Sequence, residues 1–294
     1  MKAGVILSER RTSPASADLP ARVEASDFAS EKVADSDSTP RISKPLLTWF
    51  TWYSRRYLRR HFHSLRVTGA KLSGEPTSFP LVVYSNHASW WDPLVGLHVS
   101  RELFPARSVY APMDAAALRR YGFFRRLGVF GVELGTRRGA TTFLRQARAI
   151  LQSPSNALWL TPQGRFADAR ERPVEIKAGI GYLPGLAGEI QFLPVAIEYV
   201  FWEERLPEIL VRIGEPHYAS RGESRVNAAA WVELFADRLR VTQDELARQA
   251  QRRQLGEFQC LLRGRSGVGG IYDRWRRFRS GLKRETFQLE HGRL

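Results

Sequence analysis

Residues 79–93 read Phe-Pro-Leu-Val-Val-Tyr-Ser-Asn-His-Ala-Ser-Trp-Trp-Asp-Pro, and this stretch predicts a strand that turns into a helix. Its apolar, β-branched first half is typical of a buried strand. Ser85 and Asn86 favour a turn, and Asp92 followed by proline predicts an N-cap with proline at the first helical position. We therefore expect His87 and Asp92 at the mouth of a strand-to-helix connection, where α/β sheets place their sites.

His87 and Asp92 are close enough in sequence for a short loop to fold the carboxylate back onto the imidazole. A carboxylate that accepts from one ring nitrogen fixes the tautomer and leaves the other nitrogen free to take a proton. This pair predicts a general base with an orienting group, and the proton would come from the hydroxyl of a substrate. The spacing also fits a simpler interpretation, in which Asp92 only caps the helix and His87 is a loop residue bonded to backbone.

Strands and helices alternate along the chain from residue 79 to about 213, which predicts an α/β sheet covered by helices on both faces. The predicted strands cover 79–85, 108–111, 129–134, 157–160, 192–199 and 209–213. The predicted helices cover about 93–101, 114–120, 140–152 and 176–187, and the pattern from Asn227 onward is helical. The expected fold is a mixed, mostly parallel sheet flanked by helices, with an N-terminal amphipathic helix and C-terminal helices.

Composition divides the chain into four predicted parts. Residues 1–43 are rich in Ser, Ala, Asp, Glu and Pro, which predicts a disordered tail without a signal peptide. Residues 44–70 predict an amphipathic helix at a membrane interface, and residues 71–220 predict the α/β core. Residues 221–294 predict a basic, helical C-terminal extension.

Aromatic residues and arginines are unusually dense between residues 44 and 66. Trp and Tyr prefer the bilayer interface, and arginine reaches anionic head groups while its stem lies on apolar surface. A second basic, aromatic stripe covers residues 271–284. With a net charge of +15 and no apolar run of about 18–20 residues, we expect a peripheral protein on the cytoplasmic face of a membrane, without a spanning helix. The alternative for residues 44–66 is an ordinary amphipathic helix packed on the domain.

The single cysteine, Cys260, excludes an intrachain disulfide framework and favours a reducing compartment. The six histidines form no H-E-x-x-H motif, and the chain has no C-x-x-C motif, so we expect neither a metal nor a bound cofactor. A surface this basic attracts anions of several kinds, among them nucleic acid, anionic lipid, an acidic carrier protein and phosphorylated substrates.

Five sequence blocks occur in one order along the chain. The first is Asn86-His87 with Asp92, and the others are Gly128–Val132 with Thr136–Gly139, Leu160–Arg165, Ile176–Ile180 and Leu193–Ile197. Their order and spacing resemble the glycerol-phosphate and lysophospholipid acyltransferase superfamily, in its 1-acylglycerol-3-phosphate O-acyltransferase-like form. The resemblance covers roughly residues 60–215.

This resemblance implies transfer of a fatty acyl group to a hydroxyl of a lysophospholipid or other lipid acceptor, with acyl-CoA or acyl carrier protein as the co-substrate. His87 would deprotonate the acceptor hydroxyl, and Asp92 would orient the imidazole. The residues implied in substrate binding are Asn86, Arg137, Arg138, Gln163, Gly164, Arg165 and Lys177. Either Arg137 or Arg138 would be the arginine that contacts phosphate in many members.

The third block departs from the family pattern. Gln163 stands where the family usually has glutamate, and Arg165 comes one residue before the usual arginine, whose place Phe166 takes. Glutamine keeps hydrogen-bonding reach but lacks the charge that pairs with arginine. The acceptor site is therefore altered where family members hold a polar glycerol-phosphate head, and Arg165, Arg170 and Arg172 either hold a phosphate or face water.

Three other functions stay open at the level of sequence. The first is a catalytically weak, lipid-binding member of the same fold, because Gln163 replaces a glutamate. The second is a basic nucleic-acid-binding protein, although no helix-turn-helix, RNP or zinc-finger pattern occurs and we expect no nucleic-acid partner. The third is a serine hydrolase; because no G-x-S-x-G motif occurs, Ser85 or Ser89 would have to be its nucleophile.

Overall fold

A computed structural model describes residues 39–70, 78–220 and 227–265 of the protein. The strands in these residues are β1 Ser64–Gly69, β2 Leu81–Ser85, β3 Ser108–Asp114, β4 Val129–Val132, β5 Asn156–Leu160, β6 Glu189–Val200, β7 Glu208–Ile213, β8 His217–Ser220 and β9 Gln259–Arg263. The helices are α1 Lys44–His61, α2 Asp92–Leu103, α3 Ala115–Arg120, α4 Arg137–Leu151 and α5 Ala228–Arg252, with 3-10 turns at Gly122–Leu127, Ala178–Gly185 and Leu255–Glu257.

The strands form one sheet in the order β4-β3-β5-β2-β6-β7-β1-β9, with β8 paired to β6 outside that path. Strands β4, β3, β5, β2 and β6 are parallel, whereas β7 is antiparallel to β6. Strand β1 is parallel to β7, and β9 closes the edge as its antiparallel partner. The sheet is mixed and mostly parallel, which confirms the predicted fold class. Parallel strands end at one edge of a sheet, so the segments that leave β2 and β5 meet there.

Helices cover both faces of the sheet, and successive side chains of the central strands point to one face and then to the other. Val82 and Tyr84 of β2 belong to the apolar cluster under α4 and α5, whereas Leu81 and Val83 belong to the cluster under α1 and α2. This alternation is the period of two that a strand imposes on its side chains. Both β2 and β5 are buried along their whole length, as expected for central parallel strands.

The structure differs from the sequence prediction at both ends of the described chain. The predicted helix over 44–70 ends at His61, and the chain continues as β1, whose Leu65 and Val67 are buried between β7 and β9. The predicted helical extension 221–294 contains α5, but it also contributes β9 to the same sheet. Strand β8, which pairs with β6, was not predicted either.

One further difference has a local cause, and one local prediction is confirmed. The segment predicted as a helix over 176–187 forms 3-10 turns over Ala178–Gly185, because three glycines and Pro184 are poor residues for an α-helix. Asp114 caps the helix that follows it, as predicted, and accepts the Ala117 N–H at 2.9 Å.

Some predictions fall outside the described residues, namely the tail over residues 1–38 and the stripe over residues 271–284. Of the helices in the three described ranges, none combines the length and the apolar character that crossing a bilayer requires.

Candidate active site

Asn86 ends β2 by replacing backbone pairing with its own side chain. Its Nδ2 donates to the Ile197 carbonyl at 2.9 Å, and its Oδ1 accepts from the Ile197 N–H at 2.8 Å. The side chain thereby extends the ladder between β2 and β6, whose last backbone pair joins Ser85 and Val195. Because the side chain does the pairing, the backbone is free to leave the sheet and carry His87 into the loop.

A hydrogen bond joins the His87 imidazole to the Asp92 carboxylate. His87 Nδ1–H donates to Asp92 Oδ2 at 2.7 Å; the proton is assigned to Nδ1 because a carboxylate only accepts, and Nε2 is then an acceptor. The His87 side chain is 20% exposed and that of Asp92 only 3% exposed, so solvent reaches the imidazole. Asp92 is the first residue of α2 and Trp91 holds the N-cap position. The interpretation of Asp92 as a helix cap alone is therefore wrong.

Two further donors hold the Asp92 carboxylate. The Ser89 backbone N–H donates to Oδ2 at 3.0 Å, and the Tyr199 hydroxyl donates to Oδ1 at 2.6 Å. Burial, and then the charge of Asp92, raises the pKa of Tyr199 above its ordinary value, so the hydroxyl stays protonated and serves as a donor. Sequence reasoning missed Tyr199, which lies 107 residues beyond Asp92 on β6.

The loop that follows β5 holds the His87 backbone from both sides. Gln163 Oε1 accepts from the His87 N–H at 2.9 Å, and the Ala167 N–H donates to the His87 carbonyl at 2.9 Å. Gln163 is only 6% exposed, so its buried amide helps to hold the His87 backbone in place. Four of the predicted site residues thus lie together at the carboxyl edge of the sheet, namely Asn86, His87, Asp92 and Gln163.

Gly164 and Lys177 lie against each other at the base of this loop. Gly164 has a φ of 65°, a left-handed conformation that side chains strain. A Cβ at Gly164 would also lie 3.3 Å from Cγ and Cε of Lys177. The Lys177 N–H donates to the Pro162 carbonyl at 2.8 Å, which joins the two ends of the loop. The left-handed φ therefore favours glycine at this position, and the missing Cβ lets the lysine stem pack closely.

The three arginines of the loop all have carboxylate partners. The pairs are Arg165 with Glu171, Arg170 with Glu198 of β6, and Arg172 with Asp244 of α5. The first is bidentate, since both terminal nitrogens of Arg165 contact the Glu171 carboxylate. Each of these guanidinium groups is therefore held in an ion pair, and whether any of them contacts a phosphate stays a prediction.

Aromatic rings surround the mouth of the site. The Phe166 ring lies 4.3 Å from the His87 ring, centroid to centroid, with 39° between the planes. Phe166 and Trp90 are both exposed, whereas Trp91 packs edge-on against Phe62 with centroids 4.9 Å apart. The imidazole of His87 therefore opens toward an apolar, aromatic surface.

Arg137 and Arg138 begin α4 at the same edge of the sheet, and both are exposed. Thr136 caps that helix and accepts the Gly139 N–H at 2.9 Å. Strand β4, which precedes them, is separated from β2 by β3 and β5, a distance of three strand spacings or about 14 Å. In the described part of the chain, neither arginine contacts His87, Asp92 or Gln163.

Within the described residues, neither candidate nucleophile of a serine hydrolase hydrogen-bonds the His87 imidazole, whose ring bonds Asp92. Ser85 is fully buried and its Oγ accepts from Trp159 Nε1 at 3.1 Å, while Ser89 Oγ lies 3.4 Å from the Trp91 N–H. The geometry therefore argues against that reaction. Over residues 39–70, 78–220 and 227–265, no three His, Cys, Asp or Glu side chains converge to hold a metal ion.

Comparisons with known proteins give a similarity to solved structures. No family model matches the chain, and no curated protein matches it. Among solved structures, the chain is similar to the 1-acyl-sn-glycerophosphate (LPA) acyltransferase PlsC from Thermotoga maritima, with 16% sequence identity and a TM-score of 0.39. The match covers 67% of this chain and 80% of that one.

Proposed function

We propose that the protein is an O-acyltransferase that moves a fatty acyl group from an acyl-CoA or acyl-carrier-protein thioester to a hydroxyl of a lipid. The observation that carries this proposal is the His87–Asp92 hydrogen bond of 2.7 Å at the carboxyl end of a buried parallel strand. The imidazole presents a basic Nε2, while both neighbouring serines are engaged elsewhere. The order of the five sequence blocks supports the same reaction.

The proposed reaction uses His87 first as a base and then as an acid. Nε2 takes the proton of the acceptor hydroxyl as its oxygen attacks the thioester carbonyl. The new C–O bond forms, and collapse of the tetrahedral intermediate breaks the C–S bond. The imidazolium returns its proton to the leaving thiolate, so an ester and a free thiol result. Asp92 holds the tautomer and stabilises the imidazolium.

The proposed partners are an anionic membrane surface, the lipid acceptor and the thioester donor. Helix α1 supports the membrane contact because it buries Phe50, Ser54 and Leu58 while it exposes Trp49 and Trp52. A cleft of about 550 Å³ on this helix is lined by Trp52, Arg55, Arg56, Arg59, Arg60, Gly264 and Arg265. Helix α1 thus packs on the domain with one face and presents basic and aromatic groups with the other, as peripheral membrane helices do.

Product analysis by mass spectrometry tests this function. Purified protein is incubated with acyl-CoA and acyl-carrier-protein donors and a lipid extract, and an acylated lipid is expected. His87→Ala is expected to lower the rate by about 10²–10⁴-fold, the usual loss for a general base. His61→Ala is the matched control, because that imidazole contacts Tyr57 and Trp91, and it is expected to keep transfer. Turnover of His87→Ala near that of the wild type would contradict the proposal.

A further inference from the structure

We infer that the lipid acceptor carries no charge on the atoms next to its reacting hydroxyl. This inference rests on the proposed acyltransferase function and names its acceptor class. The acceptor is a neutral lipid hydroxyl, such as that of a monoacylglycerol or of a lipid-linked sugar, in preference to the phosphate-bearing lysophosphatidic acid.

The first observation is the ring beside the general base. Phe166 lies 4.3 Å from the His87 ring and is 58% exposed, so one side of the path to Nε2 is an uncharged aromatic surface. The C–H groups of a glycerol or a sugar pack on such a surface. A phosphate placed there loses water and gains no hydrogen-bond donor in return.

The second observation is the engagement of the arginine beside Phe166. Both oxygens of the Glu171 carboxylate hold the Arg165 guanidinium, and this bonding raises the pKa of Arg165 and lowers the pKa of Glu171. The pair therefore stays charged, and a phosphate has to compete with Glu171 for the same donors. Arg170 and Arg172 are likewise paired. Within the described loop 161–172, no cation is without a carboxylate partner.

The third observation is the place of Gln163. Gln163 carries no charge, is buried, and uses its oxygen on the His87 N–H at 2.9 Å. It therefore supports the base and recruits no arginine toward the acceptor.

Three other basic residues among the predicted site residues lie outside loop 161–172. Lys177 packs its stem on Gly164, and Arg137 and Arg138 begin α4 about three strand spacings from β2. A phosphate bound by any of them would contradict the inference, so these three residues belong in the experiment.

Competition between acceptors tests the inference. The full chain receives equal concentrations of monooleoylglycerol, an alkyl glucoside and oleoyl-lysophosphatidic acid in mixed micelles, with acyl-CoA or acyl carrier protein as donor. At least one neutral acceptor is expected to exceed lysophosphatidic acid about tenfold or more in kcat/KM, judged by mass spectrometry. Preference for lysophosphatidic acid would overturn the inference and leave the acyltransferase function standing. Absence of product from every acceptor would overturn the function and the inference together.

Variants of Phe166 and Glu171 test whether these residues cause the expected preference for a neutral acceptor. Phe166→Arg is expected to shift the ratio of kcat/KM values about tenfold toward lysophosphatidic acid, whereas Phe166→Leu, the matched control, keeps an uncharged surface and the neutral preference. Glu171→Gln releases Arg165 and is expected to raise use of lysophosphatidic acid, and this gain is expected to vanish in Glu171→Gln combined with Arg165→Ala. Unchanged ratios in Phe166→Arg and Glu171→Gln would overturn the inference. So would a wild-type preference for lysophosphatidic acid that disappears in Arg137→Ala, Arg138→Ala or Lys177→Ala.

Discussion

At the scale of single residues, the Asp92 carboxylate is held by three donors from two parts of the chain, the loop after β2 and strand β6. His87 Nδ1 and the Ser89 N–H bond one oxygen, and the Tyr199 hydroxyl bonds the other. A buried carboxylate with several donors keeps one orientation, and it passes that orientation to the imidazole. In the proposed reaction, Tyr199 is therefore a positioning residue that acts through Asp92.

Tyr199→Phe tests this role. The change removes the O–H and leaves Oδ1 of a buried carboxylate without that donor, which is expected to cost about 1–3 kcal/mol of stability. We expect kcat to fall about tenfold with little change in KM, and the NMR signal of the His87 Nδ1 proton to shift. Tyr218→Phe is the matched control, because the Tyr218 hydroxyl bonds Gln191 at 3.1 Å. An unchanged kcat and an unchanged proton signal would mean that Tyr199 only packs against Phe62.

The residues of the site could be predicted from sequence where they are near neighbours. His87 and Asp92 share one loop, and Asn86 precedes them, so a short pattern contains them. Tyr199 could not be found this way, since only the pairing of β2 with β6 brings it to Asp92. The structural role of Gln163 could not be predicted either. Its side chain accepts a hydrogen bond from a backbone N–H, and such a bond produces no pattern of residue types in the sequence.

At the scale of elements, β6 connects the site to the sheet. It pairs with β2 over its first half and with β7 over its second half. Its consecutive residues Ile197, Glu198 and Tyr199 bond Asn86, Arg170 and Asp92. A shift of β6 by one residue would break the contacts of Glu198 and Tyr199, because successive side chains point to opposite faces. It would also move the Ile197 backbone groups away from the Asn86 amide.

The contact between α1 and α2 predicts a pH dependence of stability. Ser54 Oγ lies 3.0 Å from His98 Nε2, and burial, followed by Arg55 and Arg101, lowers the pKa of His98 to about 4. The unfolded chain takes up this proton near pH 6.5, so stability is expected to fall by roughly 1–3 kcal/mol as the pH drops from about 6.5 to about 4. Urea unfolding at pH 7 and pH 4.5 measures the loss.

His98→Gln isolates the contribution of this imidazole. Glutamine keeps a polar group near Ser54 but does not titrate, so the variant is expected to lose less stability than the wild type between the two pH values. Carboxylates elsewhere titrate in both proteins and cancel in the comparison. Equal losses in both proteins would show that His98 does not titrate in this range.

Strands differ in how far the sequence predicts them. β2 and β5 are continuous apolar runs, which is the pattern of a strand buried on both faces. β1, β8 and β9 mix polar with apolar residues, and each is paired with a strand that is distant in sequence. Pairing with strands that are distant in sequence stabilises such strands, so the local pattern of residues does not predict them.

At the scale of the whole molecule, charge and exposed aromatic residues allow the proposed membrane contact to be tested. The net charge is +15, and anionic lipid contributes about 1 kcal/mol for each basic residue near the surface, within a Debye length of about 8 Å. Replacing Trp49, Trp52 and Tyr53 of α1 with Ser is expected to weaken binding to phosphatidylglycerol vesicles at least about tenfold. Transfer to a dispersed, short-chain acceptor is expected to fall less.

Phe201→Ser is the control for this vesicle assay, because Phe201 is 69% exposed and lies outside α1. It is expected to bind vesicles like the wild type, and raising the salt concentration is expected to weaken binding of both. If the triple variant loses vesicle binding and dispersed-acceptor transfer equally, α1 serves the packing of the domain and not the membrane.

The position of β1 has a consequence for how the protein is made. Its sheet partners are β7, which pairs Ser64 with Glu208, and β9, which pairs Leu65 with Leu262. At about 5–20 residues per second, a ribosome delivers β7 roughly 7–30 seconds after β1, and β9 later still. During that interval the backbone N–H and C=O groups on both edges of β1 stay unpaired, which favours association between nascent chains. A chain that ended after α5 would keep β7 but lack β9, and the open edge of β1 would then be available to pair with another chain.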